Sequence, residues 1–480
     1  MRRDSLASHP SALALMPRDS SAAKILFVTN NNGTSFTEVN AVVTVVIVAL
    51  WARMSIRAAL NSYEIVNATR YSNAIERALD VMTLIAPVLT CMFAIESATR
   101  TSAVVFLGCL VFWAAQGALA VSRVTRTRRS AKHEIYTRTL RCDDAITLYR
   151  YTLAILTVTA ILAIDFTPFP RRLGKTETFG VSLMDMGGGA FVFSSGIVSR
   201  FARGRLNRSF KASMMRMAPL LMLGIARLLI TSAVGYHSIE SEYGRHWNFF
   251  FTLAGVNIFA DAIAVPPTMA LSLGLCIALV YQCVLFINGT SAWILQTPDA
   301  RRHPTTAILG FLSKNREGLC SILGYYSIHL IAVQIGWFLA QPIVNFRRWL
   351  CLSLGTVGSF WSCALALHFY VESVSRRSGN AAYVLWVAAY NLQVIVAFVA
   401  ISRLSWSQRE KSEVPKLVTA ISSHQLAVFL LGNVLTGLVN LSMDTIAASS
   451  ETAWFVMSAY VCAICACALM LRTTVKERSA

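Results

Sequence analysis

The chain has 480 residues, 55% of them hydrophobic and only 14% charged, and it carries a net charge of +19. A water-soluble protein of this length needs more polar surface than that, so a set of soluble domains is excluded. In a soluble chain the basic balance would point to nucleic acid; here Lys and Arg sit in loops beside apolar runs with no nucleic-acid-binding motif, and lipid headgroups and the cytosolic bias of basic loops account for them.

A helix needs about 20 apolar residues to cross the hydrocarbon core. Runs that meet this need lie near 41–60, 78–95, 102–121, 148–165, 179–197, 214–235, 247–265, 267–288, 319–340, 347–370, 381–402, 422–443 and 453–471. The fold predicted is therefore all-α: a polytopic membrane protein of about thirteen transmembrane helices. Residues 1–40 read as a lumenal N-terminal segment, partly disordered, with "SALALMP" too short for a secretory signal. Residues 41–471 form one multi-helix domain and 472–480 a cytosolic tail. Pro266 and Pro267 divide 247–288 into two spans, with a broken or re-entrant helix as the alternative. No internal repeat is visible, which weighs against a transporter.

Arginines and lysines accumulate in the loops 122–147 and 199–213, in the loop after 402, and in the tail. With thirteen spans all four fall on one side, which the positive-inside rule makes the cytosol. The N-terminus then faces the lumen. Most of the eleven cysteines lie inside apolar runs and read as small buried hydrophobes; no metal pattern, nucleotide loop or serine nucleophile elbow is present.

The loops on the other side hold the chemistry. "DFTPFPRRLGKTETFG" starts at Asp165, a carboxylate at the end of an apolar span, where burial is costly without a partner or a task. Pro168 and Pro170 force an extended turn through which Lys175 can return to Asp165, and Arg171, Arg172 and Glu177 flank it. Such a pair shifts both groups toward proton transfer; a snorkelling interfacial loop is the plainer reading. "VSLMDMGGGAFVFSSG" places Asp185 inside a span, beside three glycines that admit another backbone or a ligand. Asp185 is either a functional carboxylate or one bonded across a tight helix interface. "ESEYGRHWNFFFTLA" gathers Glu240, Glu242, Arg245 and His246 at the mouth of a span, ahead of Trp247 and Asn248. "SKNREGLCSILGYYSIHL" caps a span with Lys314, Asn315, Arg316 and Glu317, suited to a lipid phosphate or to an ordinary helix cap. His329 and His368 lie within spans and read as satisfied core histidines. Asn32-Gly33-Thr34 is a glycosylation sequon on the lumenal side.

These segments, in this order, resemble the inositol acyltransferases of glycosylphosphatidylinositol (GPI) anchor synthesis: phosphatidylinositol-glycan class W in animals and the GPI-anchored wall transfer protein in fungi. "DFTPFPRRLGKTETFGVSLMDMGGGAFVFSSG", "EYGRHWNFFFTLA", "NREGLCSILGYYSI" and "NVLTGLVNLSMDT" carry the resemblance, with "NNGTSFTEVN" ahead of the first span, over about residues 27 to 445. It implies a multi-pass enzyme of the endoplasmic reticulum membrane that moves a fatty acyl chain, typically palmitoyl, from acyl-CoA to an inositol hydroxyl of glucosaminyl-phosphatidylinositol. Acyl-CoA is then a co-substrate, no cofactor is bound, the partners are the lipid substrate and membrane lipids, and nucleic acid is not a partner. Under that resemblance Asp165, Lys175 and His246 become the catalytic candidates. Arg171, Arg172, Glu177, Asp185, Arg245, Trp247, Asn248, Asn315, Arg316 and Glu317 become substrate-binding candidates. "GVNIFADAIAVPP" departs from the family and adds Asp261 within a span. A secondary transporter, a non-catalytic scaffold and another membrane-embedded lipid acyltransferase are the alternatives.

Overall fold

In the computed structural model, residues 31–62, 69–93, 142–206, 210–233, 244, 246–296, 307–405 and 414–479 are described. They are almost wholly helical; the only strand-like pairing among them is a bridge from Gly33 and Thr34 to Val181. The helices are α1 (Phe36–Ser62), α2 (Thr69–Asp80), α3 (Ala86–Phe93), α4 (Asp143–Ala163), α5 (Leu183–Ile197), α6 (Phe210–Ala233), α7 (Phe249–Ile263) and α8 (Pro267–Phe286). They continue as α9 (Thr290–Leu295), α10 (Ala307–Lys314), α11 (Arg316–Ala340), α12 (Phe346–Tyr370), α13 (Ala381–Ser405), α14 (Lys416–Ser423), α15 (Gln425–Ser442) and α16 (Ser450–Ser479).

Among the described residues, nine helices are long and apolar enough to cross a membrane: α1, α4, α6, α8, α11, α12, α13, α15 and α16. The sequence expectation of thirteen is met at a coarser level only. The run expected at 102–121 and the basic loop 122–147 up to residue 141 lie outside the described residues. The run near 78–95 is found as α2 and α3 joined by a π-helical turn, Val81–Ile85. Two further runs form helices of 15 residues, α5 and α7. At 1.5 Å per residue each reaches about 22 Å, short of the roughly 30 Å of a hydrocarbon core. The division at the prolines is as expected. Ala264 takes φ 48°, and Pro267 opens α8 at a position where its missing N–H costs nothing.

Burial separates core from periphery. The apolar windows of α4, α11 and α13 are each 78% buried, against 17% in α6 and α12, whose leucines and methionines face outward. Such an inside-out surface is what a bilayer solvates. α11 packs against α5, α7, α8 and α13, while α4 is bracketed by α13, α14 and α15. The short helix α5 sits within this bundle, touching α4, α11 and α13. Close backbone approach makes that possible: a Cβ on Gly189 would lie 2.8 Å from the Tyr383 hydroxyl, and one on Gly336 would lie 2.3 Å from the Ile197 carbonyl oxygen.

Candidate active site

The loop after α4 is folded by its own residues and held by the N-terminal segment. Pro168 and Pro170 end helical continuation, Phe166 and Phe169 turn inward and are buried, and a single 3-10 turn follows at Arg171–Leu173. Asn31 Nδ2 then reaches the carbonyls of Arg171 at 2.9 Å, Gly174 at 2.9 Å and Lys175 at 3.1 Å. The Thr34 N–H donates to the Val181 carbonyl at 2.6 Å, and Gly33 (φ 80°) and Gly180 (φ 135°) supply the backbone conformations that this close pairing needs. Asn32 is exposed beside this clamp.

Within the loop, Asp165 is half-buried and its Oδ2 accepts a hydrogen bond from Asn440 Nδ2 on α15 at 2.7 Å. Lys175 is half-buried in the same loop. Arg172 is exposed and pairs with Glu38 of α1 at 2.9 Å. Burial pulls the Arg171 guanidinium below its ordinary value. The Glu177 side chain is exposed, while its backbone N–H donates to the Asn31 carbonyl at 3.0 Å.

Asp185 is fully buried and bonded, which favours the interface reading of this carboxylate. It accepts from Thr176 Oγ1 at 2.8 Å, Ser182 Oγ at 2.8 Å, the Thr176 N–H at 3.1 Å and Arg376 Nε at 2.8 Å. Ser182 is also the N-cap of α5, accepting the Asp185 N–H at 3.1 Å. Glu317 on the first turn of α11 is its counterpart: Arg377 Nε donates to its Oε2 at 3.0 Å and Arg377 Nη2 to its Oε1. Arg377 also donates to the carbonyls of Glu177 and Leu295.

Arg376 and Arg377 stand in the loop 371–380, between α12 and α13, which the sequence reading passed over. The loop joins five elements. Its Val374 carbonyl takes the Gly180 N–H at 2.8 Å, and Ser375 Oγ donates to the Thr178 carbonyl at 2.7 Å. Its Glu372 accepts from Gln282 of α8 and Ser291 of α9, and its Ser378 carbonyl accepts the Tyr281 hydroxyl at 2.8 Å. Gly379 (φ 64°) abuts α11 so closely that a Cβ on Gly324 would sit 2.0 Å from its carbonyl oxygen. One signal was available: with spans at 347–370 and 381–402, "VESVSRRSGN" falls on the same side as the other motif loops. Asn31 and Asn440 were missed as well, although both lie in stretches that carried the resemblance.

The two remaining segments dock on each other. Gly244 (φ 105°) lies against the backbone of Lys314 and Asn315, and the His246 N–H donates to Asn315 Oδ1 at 2.8 Å. The His246 side chain is exposed. The Trp247 ring covers Gly318, where a Cβ would lie 2.2 Å from Cδ1, and its Nε1 donates to Thr252 at 2.9 Å. Asn248 caps α7 and ties it to the Gly224 carbonyl of α6 at 2.9 Å. Arg245, Glu240 and Glu242 lie outside the described residues. Arg316 is buried, its fork donating to the carbonyls of Ile294 and Gln296 and its plane 5.1 Å from the Trp293 ring centroid.

Away from this cluster, Asp261 pairs with Arg200 and Arg216, each at 2.8 Å. His368 is satisfied, its Nδ1 accepting the Val374 N–H at 3.1 Å. His329 is not: it is buried with neither ring nitrogen bonded among the described residues, beside a cavity of about 10 Å³ lined by Phe201, Ala260 and Val265. The expectation of a satisfied core histidine fails there: the cavity beside the ring is lined by apolar side chains, and no hydrogen-bonding group of the described residues reaches either nitrogen.

The family model described as GWT1 matches residues 20–471. The GPI-anchored wall transfer protein 1 of Aspergillus fumigatus is 34% identical over 512 aligned positions, covering 95% of this chain and 98% of that protein. The glucosaminyl-phosphatidylinositol-acyltransferase PIGW of Homo sapiens is 33% identical over 367 positions, covering 67% of this chain and 72% of that protein. A phosphatidylinositol-glycan biosynthesis class W protein of Dictyostelium discoideum is 28% identical over 498 positions, covering 93% and 96%.

Proposed function

This chain belongs to the GWT1 family, and from that premise we propose that it acylates the inositol of glucosaminyl-phosphatidylinositol in GPI-anchor synthesis, with a palmitoyl-type acyl-CoA as donor. The relatives named as glucosaminyl-phosphatidylinositol-acyltransferases support the acceptor and the reaction. The observation that carries the site is the half-buried Asp165 carboxylate, oriented from α15 and set in a loop with Arg171, Arg172 and Lys175.

Asp165 takes the inositol hydroxyl proton as that oxygen attacks the thioester carbonyl. Lys175 faces the oxyanion that develops there, or tunes Asp165. Collapse of the tetrahedral intermediate forms the ester, breaks the carbon–sulfur bond and releases CoA as the thiol, with the proton returned from Asp165. His246 is the second candidate base. Arg171, Arg172 and Arg245 are assigned to the phosphates of the lipid or of CoA, and Trp247 and Asn248 at the start of α7 to further substrate contacts. Asp185, Asn315, Arg316 and Glu317 support these loops from beneath, and Glu177 lies exposed at their surface. The enzyme lies in the endoplasmic reticulum membrane with about thirteen helical passes, α5 and α7 being short ones, its motif loops and N-terminus lumenal and its C-terminus cytosolic.

The test is acyl transfer by the purified full chain, given labelled palmitoyl-CoA and glucosaminyl-phosphatidylinositol. Asp165→Asn and Lys175→Ala, each checked for folding, are expected to lose activity by about 100-fold or more. Wild-type rates from a folded Asp165→Asn protein would remove Asp165 as the base and turn attention to His246. No product from well-folded wild type would overturn the donor and acceptor proposed.

A further inference from the structure

Gly432, Thr436 and Asn440 recur every four residues along α15 and so share one helix face. That face lies against α4 and α16. A Cβ on Gly432 would come within 3.2 Å of Val158 and 3.0 Å of the Tyr460 hydroxyl, and that hydroxyl donates to the Val158 carbonyl at 2.9 Å. Thr436 Oγ1 meets the same hydroxyl at 3.4 Å. One turn further on, Asn440 arrives at Asp165. The register of α15 on α4 is set at Gly432, about 12 Å earlier along the helix, and it delivers the amide.

The amide's orientation is determined from both ends. Nδ2 donates to Asp165 Oδ2 at 2.7 Å, and Oδ1 accepts from Thr445 Oγ1 at 3.3 Å, Thr445 itself being fully buried. A flipped amide would set Oδ1 against a carboxylate oxygen. Asp165 also sits just past the last turn of α4, its N–H on the Leu162 carbonyl at 3.1 Å. A helix C-terminus presents partial negative charge, which opposes a carboxylate held there. A donor at 2.7 Å acts the other way, holding the carboxylate ionised and fixing its rotation.

We propose that Asn440 is a positioning residue for acyl transfer, holding the Asp165 carboxylate in its working rotamer and charge state, with Thr445 locking the amide. The proposal rests on the reading of Asp165 as the general base. Tyr460 of α16 is a further titratable group within electrostatic reach of Asp165, and Arg171 and Lys175 are charged groups of its own loop, present alike in every variant compared.

The experiment measures kcat/KM against pH for the full-length enzyme with palmitoyl-CoA and glucosaminyl-phosphatidylinositol, comparing wild type with Asn440→Ala, Asn440→Asp and Thr445→Val, and with Asp165→Asn as control. Loss of the donor in Asn440→Ala moves the acid limb up by about one pH unit, a ten-fold change in the carboxylate's ionisation constant. Asn440→Asp, nearly isosteric, moves it further up, because two adjacent carboxyl groups resist sharing negative charge. Thr445→Val moves it in the same direction by less, and it keeps the test open if both Asn440 variants fail to fold. Activity lowered equally at every pH, with the limb unmoved, would assign Asn440 to packing alone and overturn the proposal. An active Asp165→Asn enzyme would instead overturn the reading of Asp165, independently of how the Asn440 variants behave.

Discussion

Asp185 and Glu317 have almost no solvent contact, and each is matched by one of two adjacent arginines from a single loop. Taking a carboxylate and a guanidinium out of water is costly. The pair is tolerated because Thr176, Ser182 and backbone carbonyls complete the remaining hydrogen bonds. Truncating one partner strands the other. Arg376→Ala is expected to destabilise the protein by about 3–5 kcal/mol, read as a lower melting temperature in detergent. In the double variant with Asp185→Ala the loss should be smaller than the sum of the two single losses, since no unpaired charge remains. A strictly additive result would mean that the two side chains do not interact. The legibility of these residues was uneven. A carboxylate within an apolar run is conspicuous, so Asp185 was found, and Glu317 was found in the charged cap ahead of its span. Their arginines lie 191 and 60 residues away along the chain and look like ordinary loop charges until the fold brings them in.

At the scale of elements, glycines decide which helices meet. Gly324 of α11 admits the Gly379 turn, and Gly318 admits the Trp247 ring. A methyl group at either point would collide with backbone or with an aromatic ring that is itself hydrogen-bonded. Gly324→Ala should therefore cost about 1–3 kcal/mol through overpacking. Gly355→Ala on the outward-facing α12, where a Cβ meets nothing within 4 Å, should be neutral or slightly stabilising through helix propensity. Thermal unfolding of the two variants side by side checks this, and equal melting temperatures would refute it. The short helices α5 and α7 belong to the same scale. Their apolar composition matched that of a span, but composition does not measure the distance over which a helix continues. The caps at Ser182 and Asn248 and the left-handed Ala264 set their lengths.

At the scale of the whole molecule, the polar loops among the described residues sort into two groups. Residues 31–35, 164–182, 246–248, 371–380 and 440–445 belong to the motif-bearing group, linked through the contacts of Asn31, Asp165, Asp185, Glu317 and Asn315. Elsewhere Arg200 and Arg216 meet at Asp261, and Arg472 donates to the Lys416 carbonyl at 3.3 Å, joining the loop after 402 to the tail. The positive-inside rule predicts opposite faces of the membrane for these two groups. Epitope tags inserted after Arg205 and after Asp444 test the assignment. The first should be reached by antibody when only the plasma membrane is permeabilised, and the second only after the internal membranes are opened. Both tags reached together would reject the two-sided arrangement.

The sequence by itself determined that this chain is a helical membrane protein, where most of its spans run, and which loops bear acid–base groups. Each of those properties is written locally, in the length of an apolar run or in a proline or carboxylate beside it. Tertiary structure alone decided which arginine answers which carboxylate, and that Asn440 reaches Asp165 from 275 residues away. A hydrogen bond acts over about 3 Å whatever the separation along the chain. Such pairings come into being only when helix packing closes the distance.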